Sequence, residues 1–532
     1  MVSAASSARF VLPRPFTLTP VISLLLLAGI TTGCGSSAPA QPKFSGNTSV
    51  TVLVSSTAND QVTQFNLQLA TLTLTSQSGK TVNLLSSQQP SESVHLNGGI
   101  EPLTTVSIPQ DIYTSATATL GQAVFVCIAQ IPGGGLGISN YSIIDQPPTV
   151  NMASPITITG NTMTLLLDMQ VSSSAVFSTC WTTPPFQGYS MSPTFNLAPF
   201  ALASSPTNSG NGKVTSLKAQ VASASGTGSD LTLTIAGGSY GTRTLSMTSN
   251  SATVFQGVSG VSALSPGMFV DVDGAIQADA SLLATRIEVT DPSAVNESSG
   301  PLMFVDTLIP VLELYGRTEL GALINDGQGH NGIYQQFPYM DFTNAQFGVS
   351  GAFTNLHSLP FVASFSASTM VAGQNVDISS GVYSITGGVY STANTITLAP
   401  QTINGTVTAS QQVGNFTDYT VTLASYDLFP NLAMQPGQTT LLNNPNQVEV
   451  YVDNNTQKLN KQALAAGSTL RFYGLVFNDN GTLRMDCAQV QDGVDPQAKT
   501  SLASPVTKDA RSTVEKGPGE TQQVISTFAQ PR

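Results

Sequence analysis

Charged side chains are scarce in this sequence of 532 residues. Asp, Glu, Lys and Arg together make up 9% of the chain, against about 25% in an average soluble domain. No Lys or Arg occurs between Lys80 and Lys213, or between Arg317 and Lys458. Proteins that bind nucleic acid or anionic lipid need clustered cations to neutralise phosphates. The sequence therefore excludes a nucleic-acid partner and a basic membrane-binding patch.

Histidine, cysteine and tryptophan are also rare, with three, four and one residues respectively. A Ser-His-Asp triad needs a histidine as its base, and only His95, His330 and His357 are available. The sequence holds no G-x-S-x-G, H-E-x-x-H or paired C-x-x-C motif, which are the usual signatures of hydrolases and zinc sites. We therefore expect no enzyme activity, no metal and no cofactor. A glycosidase that uses only two carboxylates is the remaining catalytic alternative.

The amino terminus has the features of an export signal over residues 1–33. A basic segment precedes an apolar stretch, residues 20–30, that is too short to span a bilayer. Residues 31–34 (TTGC) resemble the lipobox of bacterial lipoproteins, although Thr31 stands where an aliphatic residue is usual. The resemblance implies acylation of Cys34 and a lipid anchor in the cell envelope, and Gly35 favours the outer membrane. The alternative is an ordinary signal peptide and a secreted protein.

Hydrophobic residues along the chain recur with a period of two. Segments 49–57, 65–75, 116–128 and 155–171 are rich in Thr, Val and Leu, and several of them alternate apolar with polar residues, the pattern of half-buried strands. Turn residues recur between them at the spacing of a β-sandwich. The fold class is therefore all-β. We predict a linker over 34–45, a β-sandwich over 46–182 and a second linker, rich in Pro, Ser, Asn and Gly, over 183–211.

An internal repeat follows the second linker. Leu264–Val289 and Leu464–Val490 each contain an L-x-x-G turn, a second glycine seven positions later and a hairpin, and a fainter copy begins at Met370. A repeat of about 80–100 residues has the size of a domain. We predict two to three small β-barrel-like repeats, over 212–292, 293–400 (degenerate) and 401–493. A disordered tail is predicted over 494–532, which has few large apolar residues.

Glycine at two positions of the repeat has a structural reason. Gly267 and Gly467 end the L-x-x-G turn, where a residue without Cβ permits a tight turn. Gly274 and Gly474 follow in the next strand and suit a bulge or a barrel corner, where a side chain would clash. Small, strongly bent sheets need such corners.

The layout resembles envelope lipoproteins of acidobacteria and related soil bacteria, which combine two uncharacterised domain families. The first family typically opens with a Ser-Val-Thr-Val strand, here residues 49–52, and closes with an apolar strand ending in Asp, here residues 165–168. The second family is the repeated small β-domain with its L-x-x-G turn and hairpin. The resemblance covers most of residues 46–493. It implies an envelope location and a β architecture, and it carries over no activity and no functional residues.

Aromatic residues cluster in one segment of the degenerate repeat, residues 334–342. Aromatic rings that are exposed on a β-domain are a common means of holding sugars by stacking. The candidate ligand-binding residues are Tyr334, Phe337, Tyr339 and Phe342. The alternative is that these rings pack in a core.

Three cysteines remain besides Cys34. Cys127 and Cys180 fall in the predicted sandwich, and an exported protein permits a disulfide between them; two buried free thiols are the alternative. Counting back from the closing valines aligns Cys487 with Arg286 of the other repeat. We therefore predict that Cys487 is an exposed, unpaired thiol.

The sequence favours a non-catalytic, lipid-anchored bacterial envelope protein for surface display, adhesion or extracellular binding. Its partners would be the membrane, through the N-terminal lipid, and a polysaccharide or an envelope protein. The alternative is a polysaccharide-binding module that uses the aromatic residues of 334–342. A hydrolase is the least favoured reading, because histidines and cations are so few.

Overall fold

The computed structural model describes most of the chain between residues 44 and 493. Its described residues are 44–56, 62–93, 96, 99–130, 136–141, 147–174, 192–204, 211–225, 231–236, 241–290, 297–317, 334–350, 356–385, 388–424, 427–433, 438–439 and 442–493. The predicted signal peptide, Cys34 and the predicted tail over 494–532 lie outside them. No helix in the described ranges is both long and apolar enough to cross a membrane.

Residues 47–199 form two sheets. The strands are β1 (Asn47–Ser56), β2 (Val62–Ser76), β3 (Thr81–Asn83), β4 (Gln89–Glu92), β5 (Glu101–Pro109), β6 (Asp111–Gln130), β7 (Leu136–Tyr141), β8 (Thr149–Asn151), β9 (Ile156–Ile158), β10 (Thr162–Met169) and β11 (Thr194–Pro199), with a short helix α1 (Val171–Ser174). One sheet has the order β5-β1-β10-β11-β8. The other has the order β3-β2-β6-β7, with β4 paired to β2 and β9 to β6.

The two sheets share one apolar core, which confirms the predicted sandwich. Alternation along β1 and β10 buries Val52 and Leu165, and these pack in the same cluster as Leu72 and Leu74 of β2. Strands β1 and β10 pair in parallel, and Val52 lies opposite Leu165. The two strand motifs that carry the resemblance are therefore neighbours in one sheet.

Two details of the predicted sandwich need correction. The segment 155–171 is not one strand, because β9 and β10 belong to different sheets and Gly160, with φ +76°, turns the chain between them. The predicted linker over 183–211 contains β11, which pairs with β10 and β8. The Pro-rich composition concealed this strand because its alternation, Phe195 and Leu197 inward, spans only a few residues.

Three further sheets follow, one for each predicted repeat. Barrel 1 consists of β12 (Lys213–Ala224), β13 (Leu231–Ala236), β14 (Thr242–Met247), β15 (Val254–Gln256), β16 (Phe269–Ile276) and β17 (Leu282–Thr290), with a 3-10 helix at Val261–Ala263. Barrel 2 consists of β18 (Glu297–Asp306), β19 (Val311–Arg317), β20 (Tyr334–Asp341), β21 (Gln346–Val349), β22 (Asn375–Ile385) and β23 (Gly388–Leu398), with a 3-10 helix at Leu356–Ser358.

Barrel 3 completes the series. It consists of β24 (Gln401–Val413), β25 (Phe416–Leu423), β26 (Gln447–Val452), β27 (Gln457–Lys458), β28 (Thr469–Asp479) and β29 (Thr482–Asp492), with a short helix α2 (Leu428–Leu432). In each barrel the strand order is third-second-first-fifth-sixth, and the short fourth strand pairs with the sixth. Parallel pairing of the third and sixth strands closes barrels 2 and 3. In barrel 1 one parallel bridge, Thr248 to Leu283, joins the same two edges.

This strand order is that of the OB-fold, a small five-stranded Greek-key barrel. The sequence repeat therefore corresponds to a structural repeat. The conclusion extends to the degenerate copy over 293–400, whose barrel has the same strand order as the other two.

The turn of the L-x-x-G motif has the same geometry in all three barrels, although Met370 replaces the leucine in barrel 2. Gly267, Gly373 and Gly467 have φ of +91°, +100° and +90°, a conformation that side chains with Cβ rarely adopt. Each glycine N–H donates to a carbonyl of its barrel's first strand, at Val221, Leu302 and Val407 respectively. The turn therefore joins the start of the fifth strand to the first strand and helps to set the barrel register.

The second glycine of the repeat marks a bulge, as predicted. The register shifts between Asp273 and Gly274 in barrel 1, and between Tyr473 and Gly474 in barrel 3. A Cβ at Gly474 would overlap the backbone carbonyl of Asp486, whereas a Cβ at Gly274 would first meet the flexible end of Met247. The bulge is therefore tighter in barrel 3.

The sandwich and the barrels pack against one another through shared cores. Leu53 and Ile100 of the sandwich lie in the core cluster of barrel 1. Leu475 and Phe477 of barrel 3 lie in that of barrel 2. The hydroxyl of Tyr315 in barrel 2 donates to Gln64 of the sandwich over 3.2 Å. The described parts of the modules therefore form packed interfaces with one another.

Two buried ion pairs reinforce these junctions. Arg243 of barrel 1 pairs with Glu101 of the sandwich. Arg471 of barrel 3 pairs with Asp168 of the sandwich over 2.9 Å and also donates to the carbonyl oxygen of Ser56 over 2.7 Å. Burying a charge is costly unless it is paired and hydrogen-bonded. These pairs therefore fix how the modules dock.

Candidate binding site

The predicted aromatic site of residues 334–342 comprises β20, the third strand of barrel 2, and Phe342, the residue that follows it. The side chains of Tyr334 and Phe337 fall outside the described part of the structure. Tyr339 is half-buried, at φ +54°. Phe342 is buried and its ring lies 6.4 Å from that of Phe347 in an edge-on contact. Phe342 therefore belongs to the core of barrel 2, and its assignment to an exposed aromatic site was wrong.

The cysteine predictions have different outcomes. Cys127 lies on β6 opposite Val62, but its side chain and all of Cys180 are outside the described residues, so the predicted disulfide stays a prediction. Cys487 is a free thiol, as predicted, but it is buried and not exposed. The bulge explains the error: Gly474 faces Cys487 and Gly274 faces Ala284, so the closing valines are not equivalent.

A cluster of polar and aromatic side chains covers the outer surface of the second and third strands of barrel 3, which we call the 2–3 face. Val448 and Val450 of β26 point into the core. Alternation therefore places Glu449 and Tyr451 on the outer surface. Asp418 of β25 lies directly opposite Tyr451.

Hydrogen bonds and ion pairs connect the polar groups of this face. Gln411 Nε2 donates to Asp418 Oδ2 over 2.8 Å, and the Tyr451 hydroxyl donates to Glu449 Oε2 over 3.1 Å. Arg484 of β29 and Asp479 of β28 adjoin this face, because β29 pairs with β26. Arg484 forms ion pairs with Glu449 at 3.0 Å and with Asp479 at 2.9 Å. The face and the adjoining end of the β28–β29 hairpin thus combine three carboxylates with one guanidinium.

Aromatic rings line the cluster. The Phe361 ring comes from the segment between β21 and β22 of barrel 2, and its centroid lies 4.9 Å from that of Tyr451. The guanidinium carbon of Arg484 lies 5.7 Å from the same Phe361 centroid, a cation–π arrangement. Phe416 contacts Tyr451 edge-on at 6.3 Å. The site is therefore built jointly by barrels 2 and 3.

Asp418 is the most deeply buried carboxylate of the cluster. Its side chain is buried, and Oδ1 has no hydrogen-bond partner among the described residues. Burial, and then the nearby Glu449 carboxylate, raise the pKa of Asp418, although Gln411 and Arg484 act in the opposite direction. Burial likewise raises the pKa of Tyr451. Buried polar atoms without partners are rare and call for an explanation.

The 2–3 faces of the other barrels differ in character. In barrel 1 the face carries hydroxyls: Thr232 pairs with Ser246, and Thr234 with Thr244. In barrel 2 it carries Glu313, whose pKa is raised by burial, and the nearby Tyr339. Carboxylates and aromatic rings therefore occupy this face in barrels 2 and 3, and hydroxyls occupy it in barrel 1.

A second charged cluster lies where barrels 1 and 2 meet. Lys218 Nζ lies 2.6 Å from Asp271 and 3.2 Å from Glu297, and Arg286 pairs with Asp271 at 2.8 Å. The carboxylates raise the pKa of Lys218 in spite of the opposing effect of burial, and the cations lower the pKa of Asp271 against the same effect. Lys218 belongs to barrel 1 and Glu297 to barrel 2, so their ion pair joins the two barrels.

Among the residues that the structure describes, no group of three or more His, Cys, Asp or Glu side chains is placed to hold a metal ion.

Residues 218–288 match a family described as "Domain of unknown function (DUF5666)". The match runs from β12 to β17 and thus covers most of barrel 1. No curated protein matches the chain.

Proposed function

We propose that this protein is a non-catalytic, lipid-anchored protein of the bacterial envelope that displays a rigid β-structured body for adhesion or extracellular binding. The outer membrane is the proposed location, with the anchor on Cys34. Support for export comes from the signal-like segment 1–33 and the lipobox-like residues 31–34. Both also fit the resemblance to acidobacterial-type envelope lipoproteins.

One structural observation carries the display role. The buried cations Lys218, Arg243 and Arg471 all form ion pairs that join one module to another. In a chain with 9% charged residues, these charges serve the docking of modules. A rigid body built in this way holds its outer surfaces at fixed positions for a partner.

Replacement of the anchor residue tests this proposal. In a bacterial host that processes lipoproteins, the full chain should partition with the membrane fraction and incorporate labelled palmitate. The Cys34→Ser variant should lose the label and appear in the soluble or secreted fraction. Cys487→Ser is the matched control, because this thiol is buried, and it should stay in the membrane fraction. Wild-type protein that is soluble and unlabelled would overturn the anchoring proposal.

A polysaccharide-binding module is the second candidate function. It is favoured by the carboxylates and aromatic rings on the 2–3 faces of barrels 2 and 3. In OB-folds this face commonly binds oligonucleotides or oligosaccharides. The scarcity of cations argues against the oligonucleotide.

A further inference from the structure

The apolar cores divide the body into two halves, which we call the N-half (the sandwich and barrel 1, residues 44–290) and the C-half (barrels 2 and 3, residues 297–493). Leu53 and Ile100 of the sandwich are fully buried in the core cluster of barrel 1. Phe477 of barrel 3 is fully buried in that of barrel 2. Within each half, apolar side chains therefore pass from one module into the core of the next.

Few apolar side chains pass between the halves. Among the residues that the structure describes, Val126 of the sandwich joins a small cluster with residues of barrels 2 and 3. Leu459 of barrel 3 is partly buried against the core of barrel 1. Hydrophobic stabilisation is roughly proportional to the apolar area removed from water. It therefore acts more strongly within each half than between the halves.

Polar contacts join the halves along a surface that we call the seam. Arg471 of barrel 3 pairs with Asp168 of the sandwich over 2.9 Å and donates to the carbonyl oxygen of Ser56 over 2.7 Å. Lys218 of barrel 1 pairs with Glu297 of barrel 2 over 3.2 Å. Two further hydrogen bonds cross the seam, between Tyr315 and Gln64 and between the hydroxyls of Tyr473 and Thr215.

Buried polar groups beside the seam also lack partners. Alternation places Thr402 and Gln491 on the outer surface of barrel 3, where they lie opposite Tyr473 and Arg471 respectively. Both are buried, and Thr402 Oγ1 and Gln491 Nε2 have no hydrogen-bond partner among the described residues. Burying a polar group without a partner is costly. Contact of these atoms with water would therefore offset part of the cost of opening the seam.

We propose that the seam is a conformational device built into the fold, along which the two halves separate as rigid bodies while the apolar core of each half stays folded. Opening exposes the polar surface around Arg471 and Tyr473, which is buried in the closed form. Domains of one chain move relative to one another unless their interface is large and hydrophobic, and the seam is polar. The inference goes beyond the anchoring and binding roles proposed above and does not depend on Cys34.

Calorimetry of matched arginine variants of the purified full chain provides the test. Arg471 and Arg243 are both buried and both pair with a buried carboxylate of the sandwich, but only Arg471 crosses the seam. We expect Arg471→Met combined with Glu297→Leu to unfold as two units, with two transitions or with a calorimetric enthalpy well above the van't Hoff enthalpy.

The control variant, Arg243→Met, breaks an ion pair within the N-half. It should unfold at a lower temperature than the wild type, because Glu101 stays buried without its cation, but as one unit with equal enthalpies. Arg471→Met alone is the milder seam variant, and its calorimetric enthalpy should also exceed its van't Hoff enthalpy. Equal enthalpies in both seam variants, or two units in Arg243→Met, would overturn the proposal.

Hydrogen exchange of the double seam variant identifies the two units. On heating through the unfolding range, peptides of the sandwich and barrel 1 should lose protection together, and peptides of barrels 2 and 3 should lose it together at a different temperature or rate. Loss of protection in barrel 1 together with barrel 2, while the sandwich stays protected, would contradict the division into halves.

Discussion

Asp427 makes the stability of the protein depend on pH. The residue is fully buried and caps helix α2, where its Oδ1 accepts from the N–H of Phe429 over 3.2 Å. Oδ2 has no partner among the described residues. Burial raises the pKa of Asp427 from 3.8 to about 8, although backbone N–H donors act in the opposite direction.

The sign of the effect follows from this shift. The folded state holds the Asp427 proton more tightly than the unfolded state, so the stabilisation is complete below pH 4 and is lost as pH rises towards 8. Between the ordinary pKa of 3.8 and pH 7, an interval of about three pH units, the unfolded state releases this proton while the folded state retains it. At about 1.4 kcal/mol per unit, it amounts to about 4 kcal/mol of unfolding free energy.

The Asp427→Asn variant removes the pH-dependent contribution of Asp427 to the free energy of unfolding and keeps the helix cap. Asparagine caps a helix as well as aspartate does but does not titrate, so at pH 8 the variant should be more stable than the wild type by several kcal/mol. Asp427→Ala loses the cap as well and should be less stable than Asp427→Asn by about 0.5–2 kcal/mol. Urea unfolding followed by circular dichroism at pH 5, 6, 7 and 8 measures both differences. A constant difference between the wild type and Asp427→Asn across this range would refute the reasoning.

Three further predictions concern the barrels. Gly474→Ala should cost more than 3 kcal/mol in urea unfolding and Gly274→Ala about 1–3 kcal/mol, because only the first overlaps backbone; equal costs would contradict the bulge geometry. Arg471→Met should cost about 3–5 kcal/mol by leaving Asp168 buried without its cation, and adding Asp168→Leu should recover part of this loss. Cys487, whose pKa is raised by burial, should react with a thiol reagent only after unfolding; rapid reaction of the native protein would disprove its burial.

Local patterns predicted much of the fold. The alternation of apolar residues indicated β1, β2 and β6, and the L-x-x-G turn identified the repeat even in its degenerate copy at Gly373. These features depend on neighbouring residues, and a single sequence records them directly. The tight turn needs a positive φ, which glycine supplies.

Long-range pairing was beyond the sequence. Arg471 and Asp168 lie 303 residues apart, and no local pattern connects them. The burial of Cys487 was missed because the alignment of the two repeats was made by counting residues along the sequence. Such counting does not reveal the bulge at Gly474, which shifts the pairing of β28 with β29. The face around Asp418 was missed for the same reason: it needs β25 beside β26 and Phe361 from another barrel. The only part of this face that a single stretch of sequence shows is the alternation of Glu449, Tyr451 and Asp453.

Differential scanning calorimetry of the purified protein tests the central claim, that the sandwich and three barrels form one interlocked body. Shared cores and the ion pairs of Arg243 and Arg471 couple the modules. We therefore predict a single transition whose calorimetric enthalpy equals its van't Hoff enthalpy. Several separate transitions in the wild type, with barrels that unfold one at a time, would contradict the account.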